Sequence, residues 1–464
     1  MNEKIIKFIF SLFILFACGE LLLAQNITNT LGTTGTFRIK DGSTDYLTLS
    51  QSNGQVNILR SLRLESTTGP STGVVYMGAD KFLHNYGTGN TFLGLNAGNF
   101  TMTGNNNSSI GYLSLFNNAS GYQNSSLGYV SLYSNTTGYQ NSSFGAVSLY
   151  SNTSGYQNSS FGTGSLSGNT TGYQNSSFGS GSLSLNTAGY ENSSFGYLSL
   201  NSNTTGHRNS TFGAGSLSRN TTGNNNSAFG YNSLVNNTTA AFNSAFGVSS
   251  LHFNTNGVGN SAFGFSALSN NTTGSNNTAV GLGSLSNITT GQNNIGIGYD
   301  AIVPDGTLSN QVRIGNAGIT YAGIQVAWTV TSDRRLKENI MLSPLGLNFI
   351  NKLNPVSYTR KNDEKKKTEF GLIAQEVDVV LKEEGIENAG ILTVTNTGGY
   401  ELRYNDLLAP MIKAIQELGE ENKKLKDLSE ELHLQNEDLE KRLAKLELII
   451  GNENSKNEIK LSGK

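Results

Sequence analysis

Asn135-Thr136-Thr137-Gly138-Tyr139-Gln140-Asn141-Ser142-Ser143-Phe144-Gly145-Ala146-Val147-Ser148-Leu149-Tyr150-Ser151 is followed at once by Asn152-Thr153-Ser154-Gly155-Tyr156-Gln157-Asn158-Ser159-Ser160-Phe161-Gly162, and the two stretches match at a spacing of 17. The same spacing runs from Gly87 to Thr307, thirteen times, without insertion or deletion. One apolar column opens as Leu93, Ile110 and Leu127, continues as Phe144 through Phe263, and closes as Val280 and Ile297. Gly follows it in every copy, from Gly94 to Gly298, and Asn stands three places before it, from Asn90 to Asn294. A second apolar column runs from Leu115 through Leu149 to Leu285 and ends at Ile302. So short and exact a period makes each copy too small to bury a core alone, so the copies must stack. The Gly, Asn and β-branched content excludes helical repeats. Two apolar columns with an Asn-Thr-Thr-Gly corner suit one coil of a β-solenoid or β-roll. Thirteen coils at strand spacing would span about 60 Å. Asn in register predicts amide ladders between coils, and Gly permits the tight corners. Charged side chains between Gly87 and Ile302 are limited to Glu191, Arg208, Arg219 and Asp300. In register, like charges would stack and repel.

The repeat accounts for the composition of the whole 464-residue chain, which is 14% charged and holds 55 Gly against 5 Pro. Gly without Pro excludes collagen, and the 36% hydrophobic content argues against simple disorder. A net charge of −2 gives no electrostatic reason to expect nucleic acid. The repeats offer no carboxylate pair, His84, His207, His252 and His433 are scattered, and the Asp of calcium-binding rolls is missing. No metal, no cofactor and no turnover of an external substrate are expected.

Residues 1–24 read as an export signal: Lys4 and Lys7, an apolar run from Ile5 to Ala17, and a close at Leu22-Leu23-Ala24. The run is short and no second apolar span follows, so the mature chain is expected to lack a membrane span and to lie at the cell surface or outside. Cys18 is the one cysteine. Leu15-Phe16-Ala17-Cys18 resembles a lipoprotein box from which Phe16 departs, so lipidation and ordinary signal cleavage both stand. Cleavage after Ala24 would leave no cysteine for disulfides or metal. Residues 25–86 alternate in Tyr46-Leu47-Thr48-Leu49 and Val56-Asn57-Ile58-Leu59 and read as an N-terminal β segment.

Asn-Ser-Ser-Phe-Gly followed by Ser-Leu resembles the left-handed β-roll repeats of trimeric autotransporter adhesin heads and the repeats of bacterial and phage fibres, although 17 is longer than the usual adhesin-head period. One column, Tyr122, Tyr139, Tyr156, Tyr173 and Tyr190, then changes to His207, Asn224 and Ala241. It is read first as cover for the roll or packing between subunits, and second as an aromatic ladder that stacks on a surface glycan. Thr pairs such as Thr136-Thr137 are read as turn residues rather than an ice-binding face.

After Trp328 charges become dense and helical periodicity appears. Three blocks stand out: Thr331-Ser332-Asp333-Arg334-Arg335-Leu336-Lys337-Glu338-Asn339-Ile340, then Glu369-Phe370-Gly371-Leu372-Ile373-Ala374-Gln375-Glu376-Val377, then Tyr404-Asn405-Asp406-Leu407-Leu408-Ala409-Pro410. Together they resemble the intramolecular chaperone domain of phage tail spikes and endosialidases, peptidase family S74, over roughly 328–450. The resemblance implies a homotrimerising domain that helps a β-rich fibre assemble and then cuts itself off. It implies Ser332 as nucleophile and Lys337 as general base, a single-turnover serine endopeptidase acting in cis. A serine needs a base to take its proton, and a lysine serves if burial favours its neutral form. The family's scission lies at Ser332–Asp333, whereas attack of the Ser332 hydroxyl on the Thr331 carbonyl closes a favourable five-membered ring. The side that is cut stays open.

Beyond Pro410 two heptad seams run, Met411, Leu418, Leu425, Leu432, Leu439 and Leu446, and Leu408, Ile415, Asn422, Ser429, Asn436, Leu443 and Ile450. This predicts a coiled coil of roughly 65 Å. Asn at such positions favours dimers, while both resemblances imply trimers, and the trimer is preferred. The expected organisation is a signal (1–24), a β segment (25–86), repeats (87–307), a β connector (308–331), an α+β chaperone domain (332–410), a coiled coil (411–450) and a polar tail (451–464). The expected function is an exported homotrimeric fibre or adhesin-like protein with a self-cleaving assembly domain. The alternative is a glycan-binding surface adhesin whose chaperone domain does not cleave.

Overall fold

The computed structural model describes residues 36–41, 44–50, 55–58 and 61–461. The expected export signal, with Cys18, lies outside these residues. The chain divides into two units at Val74/Val75. In the first, β1 (Thr36–Asp41), β2 (Thr44–Ser50) and β3 (Gln55–Ile58) form an antiparallel meander. The stretch Tyr46–Leu49 lies in β2 and Val56–Ile58 in β3, with Leu47 opposite Ile58 and Leu49 opposite Val56.

The second unit opens with a hairpin, β4 (Val75–Met77) and β5 (Asp80–His84), that pairs antiparallel with β6 (Thr91–Leu93). Thirteen three-residue strands follow one another from β6 to β18 (Ile295–Ile297), each parallel to the last and offset by 17 residues, as in Phe161 opposite Phe178. They form the central run of one 16-stranded sheet, a β-solenoid. A further strand, β19 (Val312–Ile314), keeps the register beyond the expected end of the repeat at Thr307. There Gln311 stands where the other copies have Asn, and its backbone N–H donates to Asn294 Oδ1 at 2.9 Å.

Backbone sign changes curl each coil. In the coil of residues 135–151 the φ angles of Gln140, Gly145, Val147 and Leu149 are 55°, 142°, 60° and 48°. Leucine in the left-handed region costs about 1–2 kcal/mol, yet Leu149 is fully buried, and burying it returns about 1.5–3 kcal/mol. Burial therefore wins in each copy. The invariant Gly has a different reason. Gly162 has φ 133°, and a Cβ there would lie 2.7 Å from the Gly179 carbonyl in the next coil.

Inside, the coils are largely polar. Asn158 Nδ2 donates to Asn141 Oδ1 at 3.1 Å and to Gly172 O at 2.9 Å, and its Oδ1 accepts from the Asn175 backbone at 3.1 Å. Asn152 extends a second amide ladder to Asn135 Oδ1 at 2.8 Å. Between the ladders run hydroxyls, with Ser143 Oγ bonded to Ser148 at 2.9 Å and Ser148 to Ser160 at 2.8 Å. Along the ladders each amide is satisfied by its own copy one coil away, which avoids the cost of a buried unpaired polar group. The second ladder ends at Asn271, whose Oδ1 is left without a partner where Ile288 replaces the next Asn.

The two apolar columns part company here. The Leu column is fully buried, whereas strand alternation turns Ser143 inward and Phe144 outward. The Phe column is a half-exposed row on the outside of the sheet.

After Gly315 the connector expected as β is irregular. The C-terminal region then holds α1 (Leu347–Lys352), the hairpin β20 (Val356–Thr359) and β21 (Thr368–Gly371), α2 (Ala374–Glu383), the hairpin β22 (Leu392–Val394) and β23 (Tyr400–Leu402), and α3 (Leu408–Leu461). A small core gathers Leu345, Phe349, Val377, Leu381, Ile391 and Leu407. The Glu417 carboxylate of α3 accepts from the Leu347 N–H at 2.6 Å and so ties α3 to the start of α1. That bond, and then Lys413, hold the carboxyl below its ordinary range. α3 is 54 residues long and continues past the expected end of the coil at 450. Both heptad seams lie on this helix, and among the described residues no helix is long and apolar enough to cross a membrane.

Candidate functional site

Ser332 lies in irregular chain just ahead of a 3-10 turn at Arg334–Leu336. Asp333 caps that turn. Its Oδ1 accepts from the Arg335 N–H at 2.9 Å, and its Oδ2 pairs with Arg335 Nη2 at 2.6 Å. The Arg335 guanidinium, helped by the backbone bond, holds the Asp333 carboxyl below its ordinary value. The turn closes as Lys337 N–H donates to Arg334 O at 3.1 Å. It folds the lysine side chain back so that Lys337 Nζ lies 2.6 Å from Ser332 Oγ. Five residues apart in sequence, the two groups are in hydrogen-bond contact. Thr331, Ser332 and Lys337 are all exposed.

The chemistry of the pair follows from this contact. An ammonium at this distance donates to the hydroxyl; a neutral amine accepts its proton and leaves an alkoxide-like nucleophile. Excluding water favours the neutral amine.

The flanks are unusual for a surface. Trp328 is 75% exposed and Leu342 94%, and Tyr321, Val326, Val330, Leu336 and Met341 are exposed to a similar degree. Scattered exposed apolar residues are ordinary, but this many along one short segment form an apolar strip. The sequence reading missed this strip, although alternation in Ile324, Val326, Trp328 and Val330 was available as a signal. It also missed the Asp333–Arg335 clasp, which Asp ahead of a short turn foreshadows.

The other two blocks meet. The second forms β21 and the start of α2, and the Leu372 N–H donates to the Tyr404 hydroxyl of the third at 2.9 Å. The last coil touches this region through an ion pair of Arg313 with Glu401 in β23. The Asn396 N–H donates to Pro304 O at 3.1 Å, and Asn362 Nδ2 to Ala317 O at 2.6 Å.

The structure also aligns the tyrosines. Tyr122, Tyr139, Tyr156, Tyr173 and Tyr190 stack with centroids 4.9 Å apart and ring planes within 5°, and His207 continues the stack at 4.6 Å. Partial burial, then the neighbouring phenols, push the Tyr139 and Tyr173 hydroxyls above their ordinary value.

Neither a curated protein nor a solved structure matches the chain. Residues 332–386, which open at Ser332 and close just beyond α2, match the Peptidase_S74 family, the chaperone of endosialidase.

Proposed function

We propose that this chain is an exported homotrimeric fibre whose C-terminal region directs assembly and then cuts the chain beside Ser332. The observation that carries the reading is the 2.6 Å contact of Lys337 Nζ with Ser332 Oγ at the first residue of the matched segment. The family match implies homotrimer assembly. The exposed apolar strip from Tyr321 to Leu342 supports it, as do the exposed leucines of the α3 seam, which a parallel coiled coil would bury.

In this reading two neighbouring chains cover the strip and exclude water from the pair. Lys337 then takes the Ser332 proton, and Oγ attacks the Thr331 carbonyl through a five-membered ring. The Ser332 amine leaves with that proton, an ester remains, and water hydrolyses it. The hydroxyl's attack on its own carbonyl would close a four-membered ring. A cut at Ser332–Asp333 therefore needs the hydroxyl of a neighbouring chain. Asp333 and Arg335 position the turn. Because the pair is exposed in the single chain, cleavage would report a completed trimer.

The test is expression of the wild type beside Ser332→Ala and Lys337→Ala, read by denaturing gel and mass spectrometry. Two wild-type fragments and one intact band in each variant are expected. The mass of the smaller fragment tells whether it begins at Ser332 or Asp333. An intact wild-type chain in a purified trimer would sink the cleavage reading.

A second reading rests on the tyrosine stack, whose regularly spaced ring edges and hydroxyls could line up along a surface glycan. Tyr139→Ser, Tyr156→Ser and Tyr173→Ser combined would abolish glycan binding with the melting temperature unchanged if the column is a contact face. A fall in melting temperature without any glycan binding by the wild type would assign it to packing.

A further inference from the structure

We infer that the outward row of apolar side chains on the 16-stranded sheet is the seam along which the solenoids of neighbouring copies pack. This rests on the homotrimer reading above and names the surface that would serve it. The row is longer than the repeat. It begins at Val75 and Leu83 in the hairpin, passes Leu93, and ends at Ile314, so each of the sixteen strands contributes one apolar residue in register. None is fully buried, and Phe212 is 53% exposed. From Phe144 to Phe263 it is unbroken phenylalanine, and neighbouring rings stack, for example at 4.8 Å between Phe144 and Phe161.

A row of this kind gains little inside one chain beyond the stacking of its rings. The Leu column and the amide ladders already fill the coil, so the outward rings contribute only their contact with each other. Sixteen half-exposed apolar side chains leave roughly 1,000 Å² of apolar surface, about what one partner contributes to a standard interface.

The occupant is argued from three features. First, the row is bordered by the small, uncharged column of Ser142 and its copies, and the charged residues Glu191, Arg208, Arg219 and Asp300 stand in other columns. The complement must therefore be apolar, uncharged and equally long, and a second copy of this row meets that description. Second, the same chain carries α3, whose exposed seam would set copies parallel and in register. Third, the tyrosine column differs in the way a seam should not. It covers five coils and then gives way to His207, Asn224 and Ala241, whereas the outward row never lapses.

The test uses the full chain in a Cys18→Ser background, so that an introduced thiol is the only one. Phe178→Cys is compared with Tyr173→Cys, and Phe229→Cys with Asn224→Cys, each pair in one coil. Every variant is treated with a short bismaleimide, and its native mass is measured by light scattering. The expected result is a trimeric mass throughout, with interchain linkage at Phe178→Cys and Phe229→Cys at least about tenfold above their partners, because adjacent thiols have a far higher effective concentration than thiols that meet by diffusion. A trimeric mass with linkage at Tyr173→Cys instead, or with equal linkage at all four sites, overturns the seam and leaves the homotrimer standing. A monomeric mass in all four and in the Cys18→Ser parent overturns both.

Discussion

In the solenoid, buried amides find partners 17 residues away in the same chain, as Asn158 does in Asn141 and Asn175. Buried hydroxyls find theirs 5 and 12 residues away, as Ser148 does in Ser143 and Ser160. From Trp328 through the seam of α3, by contrast, large apolar side chains face solvent, with Leu342 94% exposed. The two regions meet the burial problem from opposite sides. A coil is completed by the next copy of itself, so its instructions are local and repeated. The C-terminal region buries a small core of its own but leaves its apolar strip and helix seam exposed in the single chain. The difference also separates their weaknesses, since identical coils invite a slip of one repeat, while the residues from Trp328 to Pro410 do not repeat and have no such slip.

Substitutions can break that contrast or sharpen it. The largest effect is expected from Gly162→Ala, which adds a Cβ 2.7 Å from the Gly179 carbonyl at a φ that side chains avoid. Strain and overpacking together would cost about 4 kcal/mol. Because each coil templates the next, thermal unfolding should split into two transitions around the lesion. A single unchanged melt would show that the stack tolerates a fault. Phe349→Ala probes the other region. Phe349 is fully buried in the small core, and its loss should cost about 3 kcal/mol. Hydrogen exchange should rise in α1 and α2 with the coils unaffected. Faster exchange at the Asn ladders would mean that the two regions are one cooperative unit.

Acid acts on the opposite end of the sheet. His84 is buried against Phe92, ring centroids 4.7 Å apart. Its Nδ1 accepts from the Tyr86 N–H at 3.4 Å, so the hydrogen belongs on Nε2, which donates to Ala97 O at 2.9 Å. Burial above all, with Lys81 nearby, lowers its pKa to about 4, against the pull of the Ala97 bond. The folded state then binds fewer protons than the unfolded one between pH 6.5 and 4. Its stabilising contribution is whole above pH 6.5 and is lost as pH falls to about 4, up to about 3 kcal/mol. Amide exchange in β5 and β6 should rise over that window, and His84→Phe should flatten the response. The smallest effect is expected at Val147, a β-branched residue at φ 60° where the next coil has Gly164. Val147→Gly should raise the melting temperature slightly, about 0.5–1 kcal/mol in stability, because relief of strain exceeds the flexibility gained.

Much of the solenoid was legible because its rules are written thirteen times. The period and the amide ladder behind the invariant Asn follow from residue type and spacing. The invariant Gly, by contrast, reads in the sequence as a tight corner, which does not foresee its close approach to the next coil's carbonyl. The direction of the Phe column was not legible either. Two apolar columns look alike in a sequence, and what separates them is the residue just ahead of the Phe, Ser143 or Ala228, which turns inward and leaves the Phe outside. Leucine at positive φ was hidden as well, since local preference argues against it and only burial reverses the balance. The strand at Val312–Ile314 falls in the expected connector and not in an expected further coil in register, because Gln311 breaks the Asn column while keeping its hydrogen bond. At the junction, the sequence reading named Ser332 and Lys337 through a family likeness. Their contact depends on a turn capped by Asp333, a feature of three residues that no periodicity announces.

The link between Arg313 and Glu401 has its own consequence. A break beside Ser332 would sever the covalent path between the last coil and the region that follows it, yet Asn396 still holds Pro304 O and Asn362 still holds Ala317 O. Scission and departure would thus be separate events, the first governed by bond chemistry and the second by a half-buried ionic latch. Such a latch weakens as salt rises. The medium a finished fibre enters, rather than the cut itself, would decide when the two pieces part.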